Sequence, residues 1–382
     1  MSEVIARKYR PQTFEQIIGQ PQVTKGLENR LRQKRIHHAY IFSGSRGTGK
    51  TTTARVFARS LNCESGPIVN PCGTCPSCLE IARGGSLDVL EIDAGSNTGV
   101  DNIRDVIIDV VNIYPARDRY KIYIIDEAHE LSKAAFNALL KTLEEPPEYV
   151  ILMLATTELL KFPKTVRSRC QVLEFRSIPA GKIYKQLKYI AEDKQVKIGD
   201  VPLFKIARFG DGSLRDAQTA FDQVISFSGD EITEEDVNFA LGLVSIELIE
   251  KLIKAIYAED SAAVLSLIEE VALSGVDLTR FVMDFMAYVR AMLVIKSVGF
   301  NQFIVQMTKS EGASCEELSE LFSEQDLIRF FSILTKTEKD VKVSRQPRFH
   351  VEICMMKILQ AKRLYLLEEC LERVKSATEK LQ

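Results

Sequence analysis

Tryptophan is absent from the 382 residues. That absence excludes nothing by itself. Long apolar runs are also missing: the longest, Val150 to Ala155, is far shorter than the roughly 20 residues a helix needs to cross a bilayer. A helical membrane span is therefore not expected. The opening residues, Ser2 to Lys8, lack the apolar block of a secretory leader, so the chain is expected in the cytoplasm. No repeat or low-complexity segment interrupts it. A strong excess of one charge is lacking too: the net charge is -2, with 24 Lys/Arg against 20 Asp/Glu in residues 1–178 and 26 against 32 in the remainder. The two parts carry +4 and -6. Neither is a strongly basic domain, so any contact with nucleic acid must come from a local patch or from subunits sharing a surface. Charged residues at 27% and hydrophobic ones at 46% are ordinary for a globular chain, and the length favours two or three domains.

The run Gly44-Ser45-Arg46-Gly47-Thr48-Gly49-Lys50-Thr51 is present, and its setting matters. Ala39 to Ser43 reads as a buried strand and Thr52 to Leu61 as a helix, the context in which this eight-residue pattern binds phosphate. The glycines let the backbone N–H groups converge at the positive end of the helix. Lys50 would reach the β and γ phosphates of a nucleoside triphosphate, and the Thr51 hydroxyl suits Mg²⁺, a hard ion that takes oxygen ligands. Thr52 opens the helix behind them.

Strand-like runs at 39–43, 87–92, 121–126 and 150–156 alternate with helical stretches, and a short fifth run spans Gln171 to Phe175. This order predicts a parallel sheet covered on both faces. Strand signals stop after Ile178-Pro179, which sets a boundary near 178. Thr233-Glu-Glu-Asp236 resembles a capping box and Gly242 stands where that helix should end, giving a second boundary near 243. Beyond it, Leu278, Phe281, Val282, Phe285, Val289, Met292 and Leu293 stripe one long helix, and Val351, Met355, Ile358 and Leu359 begin another. Such stripes are read as core or subunit interface.

Lys121 to Asp126 is an apolar strand ending in two carboxylates, Asp126 and Glu127. Beside a phosphate loop this is where a nucleotide hydrolase puts its metal-binding and water-activating groups. Asp126 would hold Mg²⁺ through its water shell, and Glu127 would polarise the attacking water. His129 completes Asp-Glu-Ala-His, a string shared with one group of helicases. Those enzymes need a second sheet domain, whereas the later chain reads as helical, so His129 is taken as an ordinary helix residue. His37 and His38 read as loop residues.

Cys63, Cys72, Cys75 and Cys78 have the spacing C-x8-C-x2-C-x2-C across Pro- and Gly-containing sequence. Four thiolates close the coordination of a tetrahedral ion, so the predicted Zn²⁺ is structural. Iron–sulfur ligation also uses four cysteines, but zinc is commoner at such tight spacing, and a reducing compartment disfavours disulfides. Cys170, Cys315, Cys354 and Cys370 read as small apolar residues.

Further pieces stand in order: Lys8-Tyr-Arg-Pro11, Phe14 and Gly19-Gln20; Phe136 to Pro147, reading FNALLKTLEEPP; Leu154-Ala-Thr-Thr157; Ser168-Arg169-Cys170; and Gly212-Ser-Leu-Arg215-Asp-Ala217. The set closely resembles the gamma/tau subunits of bacterial DNA polymerase III, AAA+ ATPases that drive the sliding-clamp loader. Ser-Arg-Cys marks clamp loaders within that class, and the cysteine insertion marks this subunit. The resemblance is dense to about residue 242 and general beyond. It implies an α/β AAA+ P-loop core over 1–178 with a zinc module at about 62–80, a helical lid over 179–243, and an all-α collar over 244–382 that joins subunits into an open ring. ATP would be the nucleotide. Thr156 or Thr157 would be the first sensor, and Tyr9-Arg10-Pro11 would lie along the adenine with Ile17 and Ile18 nearby. Arg169 would reach the nucleotide of a neighbouring subunit, while Arg215 would touch the phosphates of its own. Partners would be delta- and delta-prime-type subunits, further copies of this chain, the clamp and primed DNA. Arg104 and Lys141 are candidates to touch its backbone. The chain stops at Gln382 after a polar helix, without the extension by which longer forms reach the polymerase and the replicative helicase, so those contacts are not implied. It reads as a short gamma-like form or a chain cut at the collar. The remaining readings are a helicase-like or branch-migrating AAA+ motor and a nucleotide-gated scaffold with little catalysis.

Overall fold

The computed structural model describes residues 4–95, 113–229, 231–274, 276–301, 305, 307 and 309–362. Its main sheet has five strands, β1 (Ala39–Ser43), β2 (Val89–Asp93), β3 (Lys121–Asp126), β4 (Val150–Thr156) and β5 (Gln171–Glu174), ordered β2-β3-β4-β1-β5 with every neighbouring pair parallel. The sequence reading of β2 started two residues early, and Leu87 is exposed.

Alternation along the strands divides the core into two layers. Tyr40, Phe42, Ile122, Ile124, Ile151 and Met153 face the helix Lys50–Asn62 through Phe57 and Leu61. Ala39, Ile41, Tyr123, Ile125, Leu152 and Leu154 face the helix Lys133–Glu144 through Phe136 and Leu139. Burying each large side chain contributes about 1.5–3 kcal/mol, so a slip of one residue, which exchanges the two faces, is strongly disfavoured. The register sets Ser43 beside Thr156 and Glu174, and Asp93 beside Asp126. The chemistry-bearing residues thereby meet at the carboxyl edge of the sheet, where open α/β folds bind ligands.

The chain divides into two compact units, Met1–Asp236 and Val237–Gln382. In the first, the helices Ala180–Asp193, Asp200–Phe209 and Leu214–Ser228 follow the sheet. Strand signals were expected to end at 178, yet β6 (Lys197–Ile198) and β7 (Glu231–Ile232) pair in parallel. Two residues per strand are too few for a period of two to show. Asp236 accepts from the backbone N–H of Thr233 at 2.8 Å and returns its own to Thr233 Oγ1 at 3.2 Å, forming the expected capping box. Gly242, at φ +59°, follows the helix Glu234–Leu241.

Among its described residues the second unit is helical. Its core holds Phe281, Val282, Phe285, Val289 and Met292 of the helix Leu278–Val298 with Val351, Met355, Ile358 and Leu359 of the helix Pro347–Lys362. Cys315 and Cys354 pack there as small apolar groups, while Cys370 lies outside the described residues. No helix of the described residues is long and apolar enough to cross a membrane.

Candidate nucleotide site and cysteine centre

The loop after β1 closes over the helix that starts at Lys50. Gly49 caps that helix at φ +99°, a conformation costly for any residue with a Cβ, and a Cβ on Gly47 would collide with Ser213 Oγ. The turn Gly212–Arg215 therefore sits directly on the phosphate loop. Lys50, 6% exposed, donates from Nζ to the carbonyls of Gly44 and Ser45, each at 2.9 Å. Burial lowers its pKa from the ordinary lysine value, against the opposing pull of Glu127 and Asp126. The Thr51 hydroxyl donates to Asp126 Oδ2 at 2.8 Å, and Asp126 Oδ1 accepts from the Glu127 backbone at 3.0 Å. A hydroxyl and a carboxylate at hydrogen-bond distance in front of the loop are the oxygen donors a Mg²⁺ ion takes, so the residues fit that ion.

These groups line a cavity of about 920 Å³, large enough for a nucleoside triphosphate. Arg46 through Thr52 form its phosphate end with Asp93, Asp126, Glu127 and Arg215. Pro11, Ile17, Ile18 and Ile178 supply an apolar wall where a base can stack, and Arg10 is half-buried beside them. Burial, then the charge of Arg55, lowers the Arg10 pKa.

Tyr9 is placed differently from the sequence expectation. Its hydroxyl donates to Asp193 and its ring meets Tyr189 edge-on at 6.4 Å, so it braces the helix Ala180–Asp193 while Arg7, unmarked by the sequence pattern, lines the cavity. Lys8 also reaches Asp193, at 3.0 Å, and the backbone N–H of Ile5 donates to Asp222 at 3.0 Å. The N-terminal segment is thus fastened to two helices that follow the sheet.

Gly44 and Ser45 contribute the carbonyls behind the cavity wall. Thr156 and Thr157 are not in that wall either. The Thr157 hydroxyl donates to Glu127 Oε2 at 3.3 Å, and Thr156, fully buried, accepts from the Glu158 backbone at 2.9 Å. His129 is not the ordinary helix residue its sequence suggested, because its ring is buried between these groups. Arg169 lies outside the cavity, paired with Glu144 at 2.8 Å and donating to Thr165 O at 2.9 Å. Lys141 is exposed on the helix Lys133–Glu144, and Arg104 lies outside the described residues.

The four expected cysteine sulfurs lie within 4.8 Å of one another. Backbone N–H groups donate to Cys63 Sγ at 3.4 Å, Cys72 Sγ at 3.3 Å and Cys75 Sγ at 3.4 Å, the pattern that supports thiolates. Cys72 Sγ and Cys78 Sγ are 3.9 Å apart, close to the ~3.8 Å edge of a tetrahedron with ~2.3 Å zinc–sulfur bonds. The N–H groups of Cys75 and Thr74 push the Cys72 thiol down to about 6, whereas burial pushes Cys78 up to about 12. The donor set fits a tetrahedral ion.

Residues 19–179 match the description "DNA polymerase III, delta subunit", residues 182–230 "DNA polymerase III clamp loader subunit, ATPase lid domain", and residues 232–374 "DNA polymerase III subunits gamma and tau domain III". DNA polymerase III subunit tau of Bacillus subtilis (strain 168) is 41% identical over 98% of this chain and 69% of that protein. Subunit gamma of Buchnera aphidicola is 35% identical over 94% of this chain and 99% of that protein. The chain belongs to the gamma/tau family of DNA polymerase III subunits. Against the tau subunit of Escherichia coli (strain K12), another gamma/tau relative at 36% identity, it spans 55% of that protein's length. The gamma/tau family consists of AAA+ clamp-loader ATPases, and the parallel sheet with its phosphate loop has that architecture. The Thermotoga maritima RuvB Holliday junction branch migration motor is 21% identical with a TM-score of 0.47, covering 65% of this chain and 79% of that one.

Proposed function

We propose that the chain is the ATPase motor subunit of a clamp loader, acting in a ring with delta- and delta-prime-type subunits to set a sliding clamp on primed DNA. The observation that carries this reading is the division of the catalytic groups. Lys50, Thr51, Asp126 and Glu127 converge on one cavity, whereas Arg169 is directed outside it. Hydrolysis would then need a neighbouring subunit.

Lys50 would bind the β and γ phosphates of ATP. Thr51 and Asp126 would hold Mg²⁺, whose charge offsets that of the phosphate oxygens. Glu127 would polarise the water that attacks the γ phosphorus, the bond to the β–γ bridging oxygen would break, and ADP would leave. Arg215 would sense the phosphates from the lid and Arg169 would serve the adjoining site. Thr157, bonded to Glu127, and Thr156 behind it would act as sensors through that carboxylate. Zn²⁺ on Cys63, Cys72, Cys75 and Cys78 would order the module between the phosphate-loop helix and Arg83. Residues 1–178, 179–243 and 244–382 would serve as core, lid and collar. DNA would meet exposed residues such as Lys141 through its phosphates, with binding that weakens as salt rises and ignores base sequence. The cytoplasm is the compartment proposed. A helicase-like motor would call for a second sheet domain, and beyond β5 the described residues hold only the short β6–β7 pair.

The test is ATP turnover with and without loader partners, clamp and primed DNA. The isolated chain is expected to hydrolyse ATP slowly and to accelerate at least about tenfold in the full mixture. Equal, full-speed turnover by the isolated chain would refute the reading. Lys50→Ala removes a buried cation facing the phosphates; at about 1.5–3 kcal/mol for a charge-assisted contact, ATP affinity should fall by about 10- to 100-fold. Titration with a fluorescent ATP analogue measures this, and unchanged affinity would remove Lys50 from the binding role.

A further inference from the structure

The ring of His129 joins two groups that the reading above treats separately. Its Nδ1 stands 3.3 Å from Glu127 Oε2 and 3.3 Å from Thr156 Oγ1. Its Nε2 stands 3.1 Å from Glu130 Oε1 and 3.5 Å from Glu158 Oε1. Lys161 lies 2.9 Å from Glu158 and 4.0 Å from Glu130, offsetting part of the outer acidic pair. The imidazole side chain is 7% exposed, so these neighbours rather than solvent set its hydrogen bonds.

A neutral imidazole offers one N–H and one lone pair. Thr156 Oγ1 already accepts the Glu158 N–H, which leaves its hydroxyl proton to give, and Nδ1 is within reach. With the ring proton on Nδ1, His129 donates to Glu127 and the Thr156 hydroxyl must turn elsewhere. With the proton on Nε2, the ring donates to Glu130 or Glu158, Nδ1 accepts from Thr156, and Glu127 loses that hold. One atom thus serves Glu127 or Thr156 in turn. Glu127 has particular need of support. Its backbone is left-handed, φ 45° and ψ 42°, and its side chain is 35% exposed at the cavity edge. A non-glycine residue in that conformation carries about 1–3 kcal/mol of strain.

We propose that His129 is a positioning residue for hydrolysis: its Nδ1 holds the Glu127 carboxylate and exchanges that hold for Thr156, coupling the two through one ring. The inference rests on Glu127 being the water-activating group. Asn carries an amide near the place of Nδ1, whereas Gln carries one near the place of Nε2. In the loader reconstituted with clamp and primed DNA, His129→Leu should lower kcat by about 10- to 100-fold, the scale of a misplaced catalytic group. KM for ATP should stay within about threefold. His129→Asn should recover most of the rate and His129→Gln should not. Full-rate turnover by His129→Leu overturns the proposal, as do equal rates for the Asn and Gln variants. If His129→Leu melts early and cannot be assayed, the Asn and Gln comparison decides alone. Glu127→Gln separates the two levels: undiminished turnover there sinks the underlying reading, while a slow Glu127→Gln beside a fast His129→Leu sinks the coupling only.

Discussion

Replacing Arg169 by Ala in an assembled loader is expected to lower ATP turnover by about 10³- to 10⁵-fold, the range set by arginines that stabilise a transferring phosphoryl group. ATP affinity should change little, because Arg169 does not line its own subunit's cavity. In the isolated chain its guanidinium rests on Glu144 and on the Thr165 carbonyl. Both side chains of that pair are well exposed, at 36% and 51%, and such a surface pair is worth about 0–1 kcal/mol. Releasing the guanidinium toward a neighbour therefore costs little, and the planar donor fork remains charged when it arrives. Turnover should be measured in loaders in which every copy of this chain carries the substitution, with nucleotide binding followed separately. Undiminished turnover with intact assembly would mean that no such group crosses between subunits.

The second large effect is expected at the cysteine module. Between Asn62 and Ile81 the buried apolar cluster consists of Cys63, Cys75 and Cys78, so this segment has almost no core apart from its sulfurs. A structural zinc contributes on the order of 10 kcal/mol of local folding free energy, far more than three small side chains can. Cys78→Ser should abolish zinc binding and raise amide hydrogen exchange through Cys63–Arg83, while the sheet stays protected. Arg83, the last residue of the helix that Cys75 caps, lines the nucleotide cavity. ATP affinity should therefore fall as well, by no more than about tenfold. Freshly purified, reduced wild-type protein without bound zinc would remove this assignment.

Features written in consecutive residues were the legible ones. The phosphate loop between β1 and its helix, the carboxylates closing β3 and the four clustered cysteines each carry their geometry in their spacing, because a strand end or a tight turn holds neighbours together. Tyr9 and His129 were misread for the opposite reason. Tyr9 is set by Asp193 and Tyr189, and His129 by Thr156 and Glu158, partners far along the chain that no local period reveals. Arg7 and Asp93 reach the cavity through long-range packing of the same kind. For Asp93 a signal did exist: it is a carboxylate closing the edge strand β2, and β2 pairs in register with β3, so Asp93 stands beside Asp126.

The fastening of Ile5 to Asp222, and of Lys8 and Tyr9 to Asp193, has a mechanical corollary. The residues directly ahead of Arg10 and Pro11 are tied to the same helical layer that carries Arg215, so a purine and a triphosphate bound in the cavity would be gripped by two jaws hung on one lever. Swinging that lever would open both jaws together, which would make the grip on the base and the grip on the phosphates a single mechanical variable.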